Sequence, residues 1–329
     1  SKPPSLDKWK AFRDAADGFD FIHGVNLRSL AQRLAEKDFD ILIDLNGIQQ
    51  PGSRVGALAW RPAPVQMTWA GSPTVCGLHA LDYQILDRWL VPDEPPAMWA
   101  PLEMPETWIG IGAFPEVDLG EELPSDRNGY VTFGTMLTPD KFHPDMLDAW
   151  SDVLRRVPDS RLLFSRPEYA HEITRENLRA WFARRGLGDR VDFRSELPEG
   201  HTHLDVYRDI DISLDAYPVG GGVTVAEALW MGVPATTVTG PLVQHRVGLA
   251  VLGAVGLEDL AAPTFEELVR VTRDLAADHG RRRALRWQLR ARLSETSFVD
   301  TDRFSRQFDE ALWALAQNHA VGPFSTGSS

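Results

Sequence analysis

The chain has 329 residues, 43% of them hydrophobic and 25% charged, which is the composition of a soluble globular protein long enough for two domains. Its formal net charge of −13 argues against non-specific binding to nucleic acid or to an anionic membrane, because both attract basic surfaces. A single cysteine excludes an internal disulfide and a cysteine-rich zinc site and predicts a reducing, cytoplasmic location, and no apolar run approaches the roughly 20 residues of a membrane span.

The first part of the chain alternates helical patterns with short apolar strands. Helices are predicted over 7–18 and 26–37, and strands over 39–45, 61–69 and 82–87. Residues 91–128 are rich in proline, glutamate and glycine, have little periodicity, and are interpreted as a connector between domains. Because strands and helices alternate, we expect a parallel sheet that binds ligands beyond the carboxyl ends of its strands.

The second part of the chain repeats this alternation. Strands are predicted over 129–134, 161–165, 191–194, 210–214 and 235–238, and helices over 145–157, 172–185, 204–208, 223–232, 244–255, 265–278 and 280–293. The arginines of the last of these helices, between residues 281 and 290, are interpreted as a solvated basic face. A final amphipathic helix carries Phe304, Phe308, Leu312 and Trp313.

One stretch combines the features of an anion site. A strand ends near Asp215, the glycines at 220–222 follow, and a helix begins at Val223. The glycines should allow positive φ and a close approach to the backbone, while the helix start offers free N–H groups and the positive end of the dipole. Thr224 adds a hydroxyl, and Glu227 could accept from two vicinal hydroxyls such as those of a ribose. The residues alone also allow a plain strand–turn–helix unit, because no established phosphate-binding fingerprint is present.

A set of short motifs runs through the chain in a fixed order. They are the stretches 40–47, 61–66, 69–73 with 82–83, 133–134 with Lys141, 203–204 with 207–209, 214–215, 227–234 and 246–248. Each motif alone is weak. Together, and in this order from about residue 12 to residue 313, they resemble the protein O-GlcNAc transferase family, which includes the plant SPINDLY-type O-fucosyltransferases and bacterial relatives.

The resemblance implies an α/β fold of the GT-B type, in which two Rossmann-like domains with parallel sheets face a cleft. It divides the chain into an acceptor-side domain with connector over 1–125, a nucleotide-sugar domain over 126–295, and a C-terminal helix and tail over 296–329. It also implies inverting transfer without a bound metal. The pair Asp209 and Asp211, at the start of a strand, is accordingly interpreted as capping or solvated carboxylates.

The resemblance implies that four residues lie at or near the phosphates of the donor. Lys141 matches the family lysine that contacts the phosphates, where an ammonium would neutralise the charge on the leaving diphosphate. Thr138 stands near the start of the same loop, where the family has glutamine. Gly222 and Thr224 lie at the phosphate-binding helix start. From the residues alone, Lys141 would be a surface lysine.

Five further residues receive roles in the same way. Glu227 matches an acidic residue that binds the ribose, and His203 matches a histidine beside the base. Gly71 and Pro73 match a loop under the sugar, and Arg54 a basic residue of the acceptor cleft. A solvated arginine is an equal alternative for Arg54.

Several positions depart from the family. Gly222 and Val223 stand where the family has polar residues, and Gly200 stands where it has a basic one. The chain also begins after a family segment that carries an aspartate and a His-x-x-x-His arrangement, and no tetratricopeptide array precedes it. Either the sequence is a piece of a longer protein or a βα unit of the first domain is lost. These departures leave the donor open between UDP-GlcNAc, GDP-fucose and UDP-glucose.

The function expected from the resemblance is metal-independent, inverting transfer of a sugar, GlcNAc from UDP-GlcNAc, to serine or threonine hydroxyls of a polypeptide. The expected partners are the UDP-sugar donor and the polypeptide acceptor, with no cofactor beside the donor, no nucleic acid and no membrane. Two alternatives stay open. One is a degenerate, non-catalytic nucleotide-binding or scaffold module, and the other is a different GT-B enzyme such as a nucleotide-sugar epimerase.

Overall fold

The computed structural model describes residues 6–48, 52–71, 77–95, 97–120 and 122–321. The first sheet has four parallel strands in the order β1-β2-β3-β4. These strands are β1 (Ile41–Asp44), β2 (Val65–Thr68), β3 (Tyr83–Asp87) and β4 (Ala100–Met104). They follow helices α1 (Leu6–Ala15) and α2 (Leu27–Ala35), so the predicted parallel α/β arrangement of this part is confirmed.

The second sheet has six parallel strands in the order β10-β9-β8-β5-β6-β7. Its strands are β5 (Thr132–Thr135), β6 (Arg161–Ser165), β7 (Val191–Arg194), β8 (Ile212–Leu214), β9 (Ala235–Val238) and β10 (Ala261–Ala262). The helices around it are α3 (Pro124–Asn128), α4 (Pro144–Arg156), α5 (Glu172–Ala183), α6 (Val223–Trp230), α7 (Val247–Ala254), α8 (Phe265–Ala277) and α9 (His279–Ser294). The inner strands are buried throughout, as is typical of a parallel sheet with helices on both faces.

The last helix, α10 (Thr301–Val321), packs on the first sheet. Phe304 is buried against residues of β2 and β3, and its ring stacks on that of Trp69 with the centroids 5.8 Å apart. Phe308 lies 4.7 Å from the same indole. Trp313 is 69% exposed, so it does not belong to the packed face that the sequence predicted for it.

The predicted connector over 91–128 contains more regular structure than its sequence indicated. It holds β4, which pairs with β3 along its whole length, and the short helix α3. Pro101 lies inside β4 and lacks an N–H group, which is tolerated because β4 is the last strand in the order of the sheet. Proline made this segment resemble a loop.

The interpretation of the α9 arginines as a solvated face was wrong for its inner members. Arg282 and Arg286 are only 3% and 2% exposed. Arg286 donates to the carbonyls of Met231 and Leu119, and Arg290 donates to those of Trp230 (2.8 Å) and Val117 (2.7 Å). The guanidinium groups therefore bond carbonyls at the end of α6, which lack helical partners, and carbonyls of the connector.

Candidate functional site

The junction between β8 and α6 is built as a tight glycine turn. Gly222 is the residue before α6, and its backbone φ is −80°. None of the three glycines at 220–222 has positive φ, so that expectation was wrong. They are needed for space instead: a Cβ on Gly220 would lie 2.9 Å from Asp215 Oδ2, and one on Gly221 would overlap Thr224 Oγ1. Gly232 has φ +69° just beyond the helix, where the sequence predicted its end.

The first turn of α6 contains a buried hydroxyl group. Thr224 Oγ1 is buried and has no hydrogen-bond partner among the described residues. The backbone of the same residue is fixed, because the buried Tyr207 hydroxyl donates to the Thr224 carbonyl at 3.0 Å. A buried polar atom without a partner is costly, so this hydroxyl is a natural contact for a ligand.

Glu227, one turn further along α6, lies beside His203, which begins the 3-10 segment His203–Asp209. Nε2 of His203 is 2.8 Å from Oε1 of Glu227, and the two side chains are 57% and 12% exposed. Both line a cavity of about 440 Å³ with Thr224. Its other lining residues include Arg166 and Val223. The structure therefore brings together three residues whose roles were predicted from separate motifs.

Lys141 ends a short 3-10 turn, Pro139–Lys141, that follows β5. Its backbone N–H donates to the Thr138 carbonyl at 3.1 Å. Lys141 lines a second cavity of about 320 Å³ together with Pro218 and Val219 of the glycine turn. Its positive charge also lowers the pKa of Asp215, so it acts on the turn electrostatically. Thr138 lines neither cavity.

Asp215 is a functional candidate to which the sequence reasoning gave no role. Its carboxylate accepts from the N–H groups of Gly221 (2.7 Å) and Ala216 (2.9 Å) and from the hydroxyl of Thr237 (2.8 Å). Burial raises its pKa to about 6, against the lowering effect of these hydrogen bonds. The residue was part of a motif, but nothing in the sequence indicated that its carboxylate faces the glycines.

Three residues in the first α/β unit also received predicted roles, and the structure says little about those roles. Gly71 follows β2, and a Cβ there would overlap the carbonyl of Leu45, so close backbone contact already requires glycine. Arg54 is half-buried before a short 3-10 turn, Val55–Trp60, and lines neither cavity. Pro73 lies outside the described residues. The roles of these three residues stay predictions.

The aspartates at the start of β8 have structural partners, as predicted. Asp211 accepts from the backbone N–H groups of Ser125 (3.1 Å) and Thr132 (2.9 Å). Asp209 forms ion pairs with Arg127 and Arg194, each at 2.8 Å. In the part of the chain that the structure describes, no group of three or more histidine, cysteine, aspartate or glutamate side chains is arranged to hold a metal ion. Within the same residues, no helix has the length and hydrophobicity of a membrane span.

Two parallel-sheet α/β units, with polar residues at the carboxyl ends of the second, define a GT-B glycosyltransferase fold. A point mutant of the Thermobaculum terrenum O-GlcNAc transferase superposes with a TM-score of 0.83 at 29% identity, covering 94% of this chain and 60% of that one. Anabaena HepE, solved with UDP and glucose, shares the fold at 13% identity and a TM-score of 0.53, covering 91% of this chain and 84% of that one.

The chain belongs to glycosyl transferase family 41, whose model matches residues 11–101 and 121–308. A probable UDP-N-acetylglucosamine–peptide N-acetylglucosaminyltransferase SPINDLY from Oryza sativa subsp. japonica is 34% identical over 306 residues, 92% of this chain and 33% of the relative. The Arabidopsis thaliana protein SEC, named for the same activity, is 24% identical over 96% of this chain and 33% of its own length. The chain thus spans about a third of the length of these curated relatives.

Proposed function

We propose that this chain transfers GlcNAc from UDP-GlcNAc to serine or threonine hydroxyls of a polypeptide, with inversion at the sugar carbon. The names of the SPINDLY and SEC relatives support this donor and this acceptor class. The observation that carries the proposal is the cavity at the start of α6, where Thr224, Glu227 and His203 converge beside the loop of Lys141.

The geometry suits a nucleoside diphosphate. Its base would lie near His203, and its ribose hydroxyls would donate to Glu227. Its phosphates would meet the Thr224 hydroxyl and the N–H groups that begin α6, where the helix dipole favours negative charge. Because α6 is only eight residues long, the proposal has its dipole act on the phosphates together with the positive charge of Lys141.

In the proposed reaction, the acceptor hydroxyl oxygen bonds to the anomeric carbon as the bond between that carbon and the diphosphate oxygen breaks. UDP leaves, and the hydroxyl proton passes to solvent. Negative charge therefore grows on the diphosphate during the step. Groups already aimed at that charge lower the barrier because they need no reorganisation. Lys141 and Thr224 fill this role in the proposal.

A transfer assay tests the proposal. Wild type and Lys141→Ala would be incubated with UDP-GlcNAc and a library of serine- and threonine-containing peptides, and products would be read by mass spectrometry. We expect a mass increase of one N-acetylhexosamine on peptide with wild type and a loss of at least about 100-fold with the variant. GDP-fucose and UDP-glucose in parallel reactions would reveal a different donor.

Two outcomes would contradict the proposal. Nucleotide binding without any turnover would favour a non-catalytic binding module, which the apolar Val223 at the helix start would suit. Conversion of UDP-GlcNAc without peptide would favour an epimerase. A third arm with a chelator tests the metal-independent, cofactor-free character of the proposed reaction, for which we expect an unchanged rate. The proposed compartment is the cytoplasm, and fractionation of source cells would test it.

A further inference from the structure

Asp215 lies at the end of β8 and is almost fully buried, with 4% of its surface exposed. One carboxylate oxygen, Oδ1, accepts both the Ala216 and the Gly221 N–H groups. The other oxygen, Oδ2, accepts the hydroxyl of Thr237 on the neighbouring strand β9. One side chain therefore joins both ends of the turn 216–221 and fixes that turn to the sheet.

Glycines surround this carboxylate on two sides. A Cβ on Gly220 would lie 2.9 Å from Oδ2 and one on Gly221 would lie 3.2 Å from Oδ1. A Cβ on Gly248, in the first turn of α7, would overlap Oδ2. The carboxylate occupies the space that side chains at these positions would need. Asp215 and the three glycines thus form one packed unit.

The unit extends directly to the candidate phosphate site. Gly221, whose N–H is held by Asp215, lies close to the Thr224 hydroxyl, and Gly222, the residue before α6, provides no side-chain cap for the helix. A run of three glycines has more backbone freedom than any other tripeptide, so some other group must order it. In the described residues around this turn, the Asp215 carboxylate holds the Gly221 N–H.

We propose that Asp215 is a positioning residue for the donor's diphosphate, which orders the glycine turn so that the first N–H groups of α6 and the Thr224 hydroxyl face the phosphates. The inference rests on the proposed function, since it assumes that a nucleoside diphosphate binds there. Asp215 itself does not touch the donor, because its oxygens are already occupied and buried.

Two substitutions of Asp215 distinguish its effect on the order of the turn from the effect of its negative charge. Asp215→Ala removes all three acceptor contacts. Asp215→Asn keeps an oxygen for the two N–H groups, and its amide can donate to the Thr237 hydroxyl. Asp211→Ala is the matched control, since Asp211 is equally buried and also accepts two backbone N–H groups, but stands at the opposite end of the same strand.

Affinities for UDP and for uridine would be measured by calorimetry and ligand-observed NMR on variants whose circular dichroism matches wild type. We expect Asp215→Ala to weaken UDP at least about tenfold and uridine less than about twofold, because uridine carries no phosphate. Asp215→Asn should stay within about threefold of wild type for both ligands, and Asp211→Ala should change neither. Unchanged UDP affinity in Asp215→Ala, or an equal loss of both ligands, would overturn the proposal.

A second measurement tests the proposal even if Asp215→Ala fails to fold or if the wild-type protein binds no nucleotide. Thr237→Val removes the hydroxyl contact to Oδ2, together with a longer contact of 3.4 Å to the Val238 carbonyl. Hydrogen exchange over 216–224 reports the order of the turn without any ligand. We expect faster exchange over 216–224 in Thr237→Val than in wild type, and no change in β5. Unchanged exchange would overturn the role of Asp215. Absence of UDP binding by wild type would instead count against the proposed function.

Discussion

At the scale of single residues, two residues of α6, Thr224 and Glu227, are held by neighbouring protein groups and also line a cavity. Glu227 is bonded to His203, and the Thr224 carbonyl is held by Tyr207. Thr224 and Glu227 could be predicted from the sequence because they stand one turn apart on one helix, whereas His203 was predicted from the family resemblance. The role of Asp215 could not be predicted, because it depends on Thr237, 22 residues away, and on the packing of Gly248.

Glu227 should act through the ribose hydroxyls of the donor. Glu227→Gln replaces one carboxylate oxygen with a donor, and we expect it to weaken UDP about tenfold, since a hydrogen bond to a charged group contributes roughly 1.5–3 kcal/mol. The measurement is calorimetric titration with UDP and with 2′,3′-dideoxy-UDP. Both proteins should bind the dideoxy compound equally. A loss of the same size for both ligands would mean that Glu227 does not contact the ribose.

The raised pKa of Asp215 predicts that the stability of the folded protein depends on pH. Burial raises its pKa from 3.8 to about 6, so the folded protein holds this proton more tightly than the unfolded chain does. The resulting stability is fully present below pH 3.8 and is lost as the pH rises through about 6. The size of this effect is roughly 3 kcal/mol.

Urea denaturation of wild type and Asp215→Asn at pH 4 to 8 would measure this. Asparagine does not titrate. The free energy of unfolding of the variant, measured relative to that of wild type, should therefore increase by up to roughly 3 kcal/mol as the pH rises. Asp87, whose pKa burial also raises to about 6, affects both proteins alike. A difference that does not vary with pH would show that the Asp215 carboxyl binds protons equally in the folded and the unfolded protein, so that its pKa is not raised by folding.

At the scale of elements, the long helices with clear periodicity could be predicted to within a few residues. Two strands could not. Residues 100–104 contain proline and glutamate, and residues 261–262 are too short to form a pattern. Both gain their structure from a neighbouring strand in the sheet. The buried arginines of α9 were missed for a related reason, because their partners are carbonyls far away in the sequence.

The inner arginines of α9 should therefore contribute to stability. Arg286→Ala leaves the carbonyls of Met231 and Leu119 without this donor, and we expect it to lower the free energy of unfolding by about 3 kcal/mol. Arg283→Ala, on the exposed face of the same helix, should change it by less than about 0.5 kcal/mol. Urea denaturation would measure both, and equal effects would mean that burial of Arg286 contributes nothing.

At the scale of the whole molecule, segments from both α/β units approach each other near the start of α6. Trp108 of the connector receives a hydrogen bond on its carbonyl from Nε1 of Trp69 at 2.7 Å. A Cβ on Gly222 would lie 3.5 Å from its indole ring. The loop after β2 and the glycine turn thus contact one tryptophan. The GT-B fold could be predicted from collinear motifs, whereas this junction could not, because it joins residues from three separate segments.

The central claim is that a diphosphate binds where the glycine turn, α6 and the lysine loop meet. Calorimetric titration of UDP into wild type, Lys141→Met and Lys10→Met tests it most directly, because Lys10 is an exposed lysine of α1. We predict binding by wild type and by Lys10→Met with equal affinity, and an affinity about 10- to 100-fold lower for Lys141→Met. Equal affinity in all three proteins, or no binding by wild type at millimolar UDP, would contradict the claim.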